Sequence, residues 1–222
     1  MRTIFLFLIT LLSVSSYSQE WESYTIDNTS NQLNGSGINA ITAIPDGSIW
    51  IGTNEGVSKY KDAEWIKYNT ENGLVNNNIE AIASDLTGAI WIGTLDGISK
   101  FEGGSWTSYY NTNGTPSNQI YSIAVDSQNN KWFATNFGVL KFDGDSWIVF
   151  DTESGLPTNT VSTIAVDDNE GNIWYAYNDY VSYFDGISWN SFDNNELSFP
   201  SKIEAVATDI YGNRWFGSRN GR

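Results

Sequence analysis

The ten tryptophans constrain this chain more than any other feature. They form two interleaved series, Trp21, Trp65, Trp106, Trp147, Trp189 and Trp50, Trp91, Trp132, Trp174, Trp215, with steps of 44, 41, 41 and 42 residues in the first and 41, 41, 42 and 41 in the second. One period accounts for all of them, so the chain is a tandem array of one unit. Aligned on the second series, the copies read INAITAIPDGSIWIGTNEGVSKY, IEAIASDLTGAIWIGTLDGISKF, IYSIAVDSQNNKWFATNFGVLKF, VSTIAVDDNEGNIWYAYNDYVSYF and IEAVATDIYGNRWFGSRNGR. The first series opens the segments WESYTIDN, WIKYNTENGL, WTSYYNTNGT, WIVFDTESGL and WNSFDNNEL. Each copy holds four short runs rich in Ile, Val, Trp, Tyr and Phe, parted by Gly, Asn and Asp, which is the pattern of strands and turns.

In one copy the four runs are residues 79–84, 90–94, 98–101 and 106–109. Helical solenoids share the repeat length but need apolar residues at spacings of three and four, which these runs lack. Four strands in a period of about 40 to 45 residues describe a propeller blade. The predicted fold is therefore all-β, a β-propeller of four-stranded antiparallel blades, about five in number and the last incomplete. Because each tryptophan recurs at the same place in its blade, its expected role is packing between blades rather than ligand stacking.

The segment W-I-G-T-x-x-G-[VI]-S-K-[YF], complete at residues 50–60 and 91–101 and degenerate in later copies, closely resembles the two-component regulator propeller repeat. That repeat occurs in tandem in the extracytoplasmic sensor regions of bacterial hybrid histidine kinases. The resemblance covers essentially the whole chain after residue 18, and it implies a sensor propeller followed, in the family, by a further β-domain, a membrane helix and kinase modules. The sequence given contains none of those signalling modules. The likeness is weakest at residues 175–183, YAYNDYVSY, which predicts a specialised turn in that blade.

Arg2, an apolar run over residues 4–12 and small polar residues to position 18 read as a signal peptide over residues 1–18, followed by the propeller over residues 19–222. The apolar run is too short to span a bilayer, so the expected product is exported, periplasmic or extracellular, with no membrane insertion after cleavage. Trp21 to Tyr24 aligns with a fourth strand, and the last copy has its first two strands at residues 203–208 and 214–217 before the sequence ends. Two readings follow, an imperfect five-bladed ring closed by the first segment or a fragment of a longer propeller. The avoidance of open sheet edges favours the fragment.

Composition then narrows function. With no Cys and no His, thiolate nucleophiles, imidazole bases and their metal sites are excluded, and with them any lyase that depends on a histidine base. Eleven Lys and Arg against 26 Asp and Glu give a net charge of -15, which argues against nucleic acid and anionic lipid as partners. No cofactor is called for. The aspartates before the second strands, Asp46, Asp85, Asp126, Asp167 and Asp209, read as turn formers. Calcium at residues 167–170, the densest oxygen cluster, lacks a defined ligand spacing.

In a meander the loops from fourth to first strand and from second to third strand share one face, with the mouth of the central channel. The second residue of each innermost strand varies there while its neighbours hold: Asn39, Glu80, Tyr121, Ser162 and Glu204. Aromatics without counterparts in other copies, among them Phe137, Tyr177 and Tyr180, lie on the same face. Amide, carboxyl and phenol groups beside rings suit a carbohydrate or another small solute, so the expected function is a non-catalytic, exported sensor or ligand-recognition propeller. A glycan-active enzyme working through Glu80 and Glu204 and a protein-interaction scaffold are the alternatives.

Overall fold

A computed structural model describes residues 23–29, 32–110, 119–178, 180–193, 196 and 202–218. The signal segment, Trp21 and residues 219–222 lie outside them. Eighteen strands follow in order. Blade 1 holds β1 (Ile38–Ala43), β2 (Ile49–Thr53), β3 (Gly56–Lys61) and β4 (Glu64–Tyr68). Blade 2 holds β5 (Ile79–Ser84), β6 (Ile90–Thr94), β7 (Gly97–Glu102) and β8 (Ser105–Tyr109). Blade 3 holds β9 (Ile120–Val125), β10 (Lys131–Thr135), β11 (Gly138–Phe142) and β12 (Trp147–Phe150), and blade 4 holds β13 (Thr163–Asp167), β14 (Asn172–Tyr177), β15 (Tyr180–Phe184) and β16 (Trp189–Asp193). Blade 5 is a two-stranded sheet of β17 (Ile203–Thr208) and β18 (Arg214–Ser218) among the described residues. Every sheet is an antiparallel meander, as the repeat predicts.

The motif residues close each unit. In the turn from second to third strand, Thr53, Thr94 and Thr135 donate their hydroxyls to the carbonyls of Gly56, Gly97 and Gly138 at 3.0, 2.8 and 2.8 Å. Those glycines have φ of 125°, 126° and 109°; a side chain on Gly97 would also strike the Tyr109 carbonyl oxygen, 2.6 Å from an ideal Cβ. The buried third-strand serines tie down the loop that enters their blade, since Ser58 and Ser99 accept from the amides of Asn34 and Val75 at 2.7 and 2.9 Å. The lysine after each serine or its equivalent lies over the second-strand indole: Lys59 on Trp50, Lys100 on Trp91 and Lys141 on Trp132, at 5.3, 5.5 and 5.1 Å from the ring centroid.

The core lies between blades. Trp50, Trp91 and Trp132 are buried, and each stacks on its own fourth-strand aromatic, Tyr68, Tyr109 or Phe150, with centroids 5.6, 5.7 and 5.9 Å apart. Each also meets the third-strand aromatic of the next blade, Phe101, Phe142 or Phe184. The packing role expected of the tryptophans thus holds through the inner blades. The first strands pack in the order β1, β5, β9, β13, β17, and no comparable packing joins β17 to β1 among the described residues. The described blades form an open arc. Tyr24 lies outside the strands, yet its ring meets Tyr60 and Trp65 at 5.6 and 5.6 Å, the relation Tyr68 has to Phe101 and Trp106 at 5.4 and 5.3 Å. The fourth-strand alignment is therefore right about the place of Tyr24, although the described residues of that segment, Ser23 and Tyr24, lie outside any strand.

Candidate ligand site at the channel mouth

Strand register explains why one inner-strand position varies. Ile38 pairs with Thr53 and Ala40 with Gly52, so Asn39 is an extra residue in the ladder. The same shift makes Glu80, Tyr121 and Glu204 the extra residues of β5, β9 and β17. Four blades thus carry a β-bulge at one level, at the channel mouth. A bulge releases its residue from the ladder and re-aims the side chain, which is why identity is free to change there. Blade 4 differs: β13 begins at Thr163, so Ser162 stands just before the strand rather than second within it, and its hydroxyl donates to the Ala176 carbonyl at 2.9 Å.

The bulge side chains are not equivalent. Asn39 donates from Nδ2 to the Ile79 carbonyl at 2.9 Å, which ties blade 1 to blade 2. Glu80 is half-buried, and that burial pushes its carboxyl above the usual carboxylate range. Tyr121 donates its hydroxyl to Gln119 Oε1 at 2.9 Å. Its ionisation is pushed up by burial first and then by the nearby Tyr177 and Glu80, so these three side chains share one electrostatic environment. Glu204, on the last inner strand, is exposed.

Tyr177 comes from the specialised turn. Blade 4 replaces the Thr-x-x-Gly device with Tyr177 and Tyr180, which pair as the last residue of β14 and the first of β15. Within the turn, Asn178 takes a positive φ of 49° and bridges to Ile203 of blade 5. Lys202, just before β17, sets its ammonium 5.9 Å from the Tyr177 ring centroid. Two contributors to this site, Gln119 and Lys202, escape the sequence argument; the signal was the residue before the leading Ile or Val of each copy's first run, which also changes from copy to copy as Gly37, Asn78, Gln119, Thr160 and Lys202. Phe137 and Tyr180 lie on second-to-third-strand turns, farther from the axis than the bulges, and are 47% and 39% exposed. Thus Glu80 and Tyr177 lie near enough to Tyr121 to act on its ionisation, Asn39 and Ser162 are engaged by neighbouring carbonyls, and Phe137 and Tyr180 stand exposed on their turns.

The opposite face is built from turn aspartates. Asp85 and Asp126 accept the indole N–H of Trp91 and Trp132 at 2.9 and 2.8 Å, besides backbone amides of their own turns. The acidic segment 167–170 is answered from within the chain: Arg214 Nη2 donates to Asp167 Oδ2 at 2.7 Å and also to Glu170. No group of three or more acidic side chains that could hold a metal ion occurs among the described residues.

The sequence matches no protein-family model and no curated protein. Solved structures do match. The chain is 29% identical to the extracellular domain assigned to a hybrid two-component system, BT3049, of B. thetaiotaomicron, with a TM-score of 0.74 over 83% of this chain and 27% of that one. The extracellular domain assigned to the hybrid two-component system BT4673 of the same organism gives 20% identity and a TM-score of 0.77 over 92% of this chain and 31% of that one. The chain therefore spans less than a third of these domains. The virginiamycin B lyase of Staphylococcus aureus gives 16% identity and a TM-score of 0.68 over 82% of this chain and 63% of that one, a likeness of fold alone. The resemblance to sensor propellers read from the W-I-G-T-x-x-G motif is borne out by the first of these structures, and the second shares the fold.

Proposed function

We propose that the chain is the recognition part of an exported, non-catalytic sensor propeller that binds a glycan or another small polyhydroxylated solute at the channel mouth. The observation that carries this reading is that Tyr121, released from the ladder by a bulge, feels the charges of Glu80 and Tyr177, while Tyr121 and Tyr177 are unlike every counterpart in the other blades. A sugar offers hydroxyls to a carboxyl, a phenol and a primary amide, and a C–H face to an aromatic ring. Glu80, Tyr121, Gln119 and Tyr177 supply that set on a rigid scaffold, where binding groups are held without prior ordering. The extracellular placement of the BT3049 domain supports export, as does the pattern of residues 1–18.

The lyase neighbour does not favour an enzyme. A histidine-to-alanine variant of that lyase is described as catalytically inactive, and this chain has no histidine. Glu80 and Glu204, the pair a glycosidase would need, stand on β5 and β17 with β9 and β13 between them.

The test is an oligosaccharide array followed by calorimetry on each hit, with Glu80→Gln, Tyr121→Ala and Tyr177→Ala as site variants and Leu86→Ala, on the opposite face, as control. Each site variant should weaken binding at least about tenfold, the scale of one lost hydrogen bond or ring contact. The control should bind as the unaltered protein does. An array without hits, or hits indifferent to all three site variants, would overturn the reading.

A further inference from the structure

We infer that Asn72 is a site of spontaneous deamidation, and that its isoaspartyl product loosens the joint between blades 1 and 2. The inference is independent of the ligand site and rests on the loop that enters blade 2.

The reaction favours an asparagine followed by glycine. The backbone nitrogen of the second residue attacks the side-chain carbonyl carbon of the first; a new C–N bond forms, the Cγ–Nδ2 bond breaks, and ammonia leaves with the proton. Water then opens the cyclic imide at either carbonyl, giving aspartate or an isoaspartate whose main chain runs through Cγ. Glycine permits the attack because no side chain restricts the approach of its nitrogen. The sequence has four such pairs, at residues 34–35, 72–73, 113–114 and 220–221, and the first two lie among the described residues.

The fold treats these two oppositely. Asn34 is 9% exposed, and its Nδ2, the leaving group, donates to the carbonyls of Val57 and Tyr68 at 3.1 and 3.0 Å. Asn72 is exposed, at the end of a short 3-10 turn over Thr70–Asn72. Its Oδ1 accepts from the Asn69 amide at 3.0 Å, so a donor already sits where negative charge gathers as the carbonyl is attacked. Among the described residues the Gly73 amide donates to no carbonyl. The loop entering blade 4 is built alike but with Ser154 in the place of Asn72: Ser154 Oγ accepts from the Asp151 amide at 2.8 Å, and Asn159 Oδ1 holds the Thr152 amide as Asn77 Oδ1 holds that of Thr70. There the glycine amide, on Gly155, donates to the Thr152 carbonyl at 3.3 Å. Capping this loop therefore does not require asparagine.

The residues after Asn72 make the product matter. An ideal Cβ on Gly73 would lie 2.8 Å from Trp106 Cδ1, and Leu74 is buried with Trp50 and Ile79 in the core between blades 1 and 2. Close packing of this kind leaves no room for an added main-chain methylene. Aspartate keeps the backbone as it is, and its carboxylate still accepts from Asn69.

The experiment ages the whole chain at mildly alkaline pH and follows each asparagine by peptide mapping and mass spectrometry, beside the same chain held unfolded in urea. In the folded chain Asn72 should convert at least about tenfold faster than Asn34, whose amide must first lose two hydrogen bonds; in urea the two should convert at comparable rates. Asn72→Ser, which copies Ser154, should keep through ageing the melting temperature that the unaltered chain loses. Asn72→Asp, unaged, should melt as the unaged chain does, which assigns that loss to isoaspartate. Equal conversion of Asn34 and Asn72 in the folded chain, an Asn72 that converts only in urea, or an aged chain that melts with the aged Asn72→Ser protein would each overturn the inference.

Discussion

Ile120 of β9 sets its Cγ2 atom 2.5 Å from where a Cβ on Gly93 of β6 would stand. The glycine of W-I-G-T is therefore there to let the next blade close in, with no demand on backbone freedom. Gly93→Ala should destabilise by about 1–3 kcal/mol, the usual range for overpacking. Pairing it with Ile120→Ala removes the Cγ2 atom that the new methyl would strike, and the double variant should lose less than the sum of the single losses. Urea unfolding of the four proteins measures the difference; strict additivity would show that the two residues do not share a socket.

Asp85 holds blade 2 to its own turn. Its carboxylate accepts from Trp91 Nε1 at 2.9 Å and from the amides of Thr87 and Ala89 at 2.9 and 3.1 Å. Burial pushes its pKa up, and these bonds outweigh it and pull the group below 3.8. A carboxylate depressed by folding adds stability above its unfolded value and loses it as pH falls through the folded one. Asp85→Ala should therefore cost at least about 2 kcal/mol near neutrality, since it leaves a buried indole and amide without an acceptor, and should flatten the acid limb below pH 3.8. Melting temperature against pH for both proteins reads both effects.

Lys131 is a buried cation, 4% exposed, whose ammonium lies 3.9 Å from Asp85 Oδ2 and over the rings of Trp91 and Phe142 at 5.2 and 5.5 Å. Blades 1, 2 and 4 have Ile49, Ile90 and Ile173 at the same place. Because desolvation offsets much of the attraction in a buried pair, Lys131→Ile should change stability by no more than about 1 kcal/mol. Removing Asp85 should cost more with Lys131 present than in the Lys131→Ile background, since only the former strands a buried charge. A thermodynamic cycle over the two substitutions gives the coupling; a value near zero would mean that the pair contributes nothing across the blades.

Tryptophan spacing was enough to locate the four strands of blade 2 and both strands of blade 5 to within a residue, because each blade needs its indole at one level. The mouth face was also legible, since it follows from meander topology alone. The bulge was not. Whether Glu80 lies in the ladder or outside it depends on register with Gly93 and Thr94, and a bulged strand and a regular one read alike in Ile-Glu-Ala-Ile. Nor did the acidic run at 167–170 announce that Arg214, 47 residues on from Asp167, would answer it, because that pairing crosses from one blade to the next.

In the proposed site, Glu80 would tie recognition to stability. Burial raises its carboxyl above 4.5, so folding favours the protonated form, and the group's contribution falls as pH rises from 4.5 through the higher folded value. At neutral pH the carboxylate is held against its preference, which is the cost expected of a side chain kept for recognition rather than packing. Glu80→Gln keeps the shape and removes the charge. It should melt at the same temperature or higher at pH 7 while binding glycan less tightly, with any gain shrinking as the pH is lowered toward 4.5. Calorimetric melting of both proteins across that interval is the measurement, and a variant less stable at pH 7 would show that Glu80 is held by structure instead.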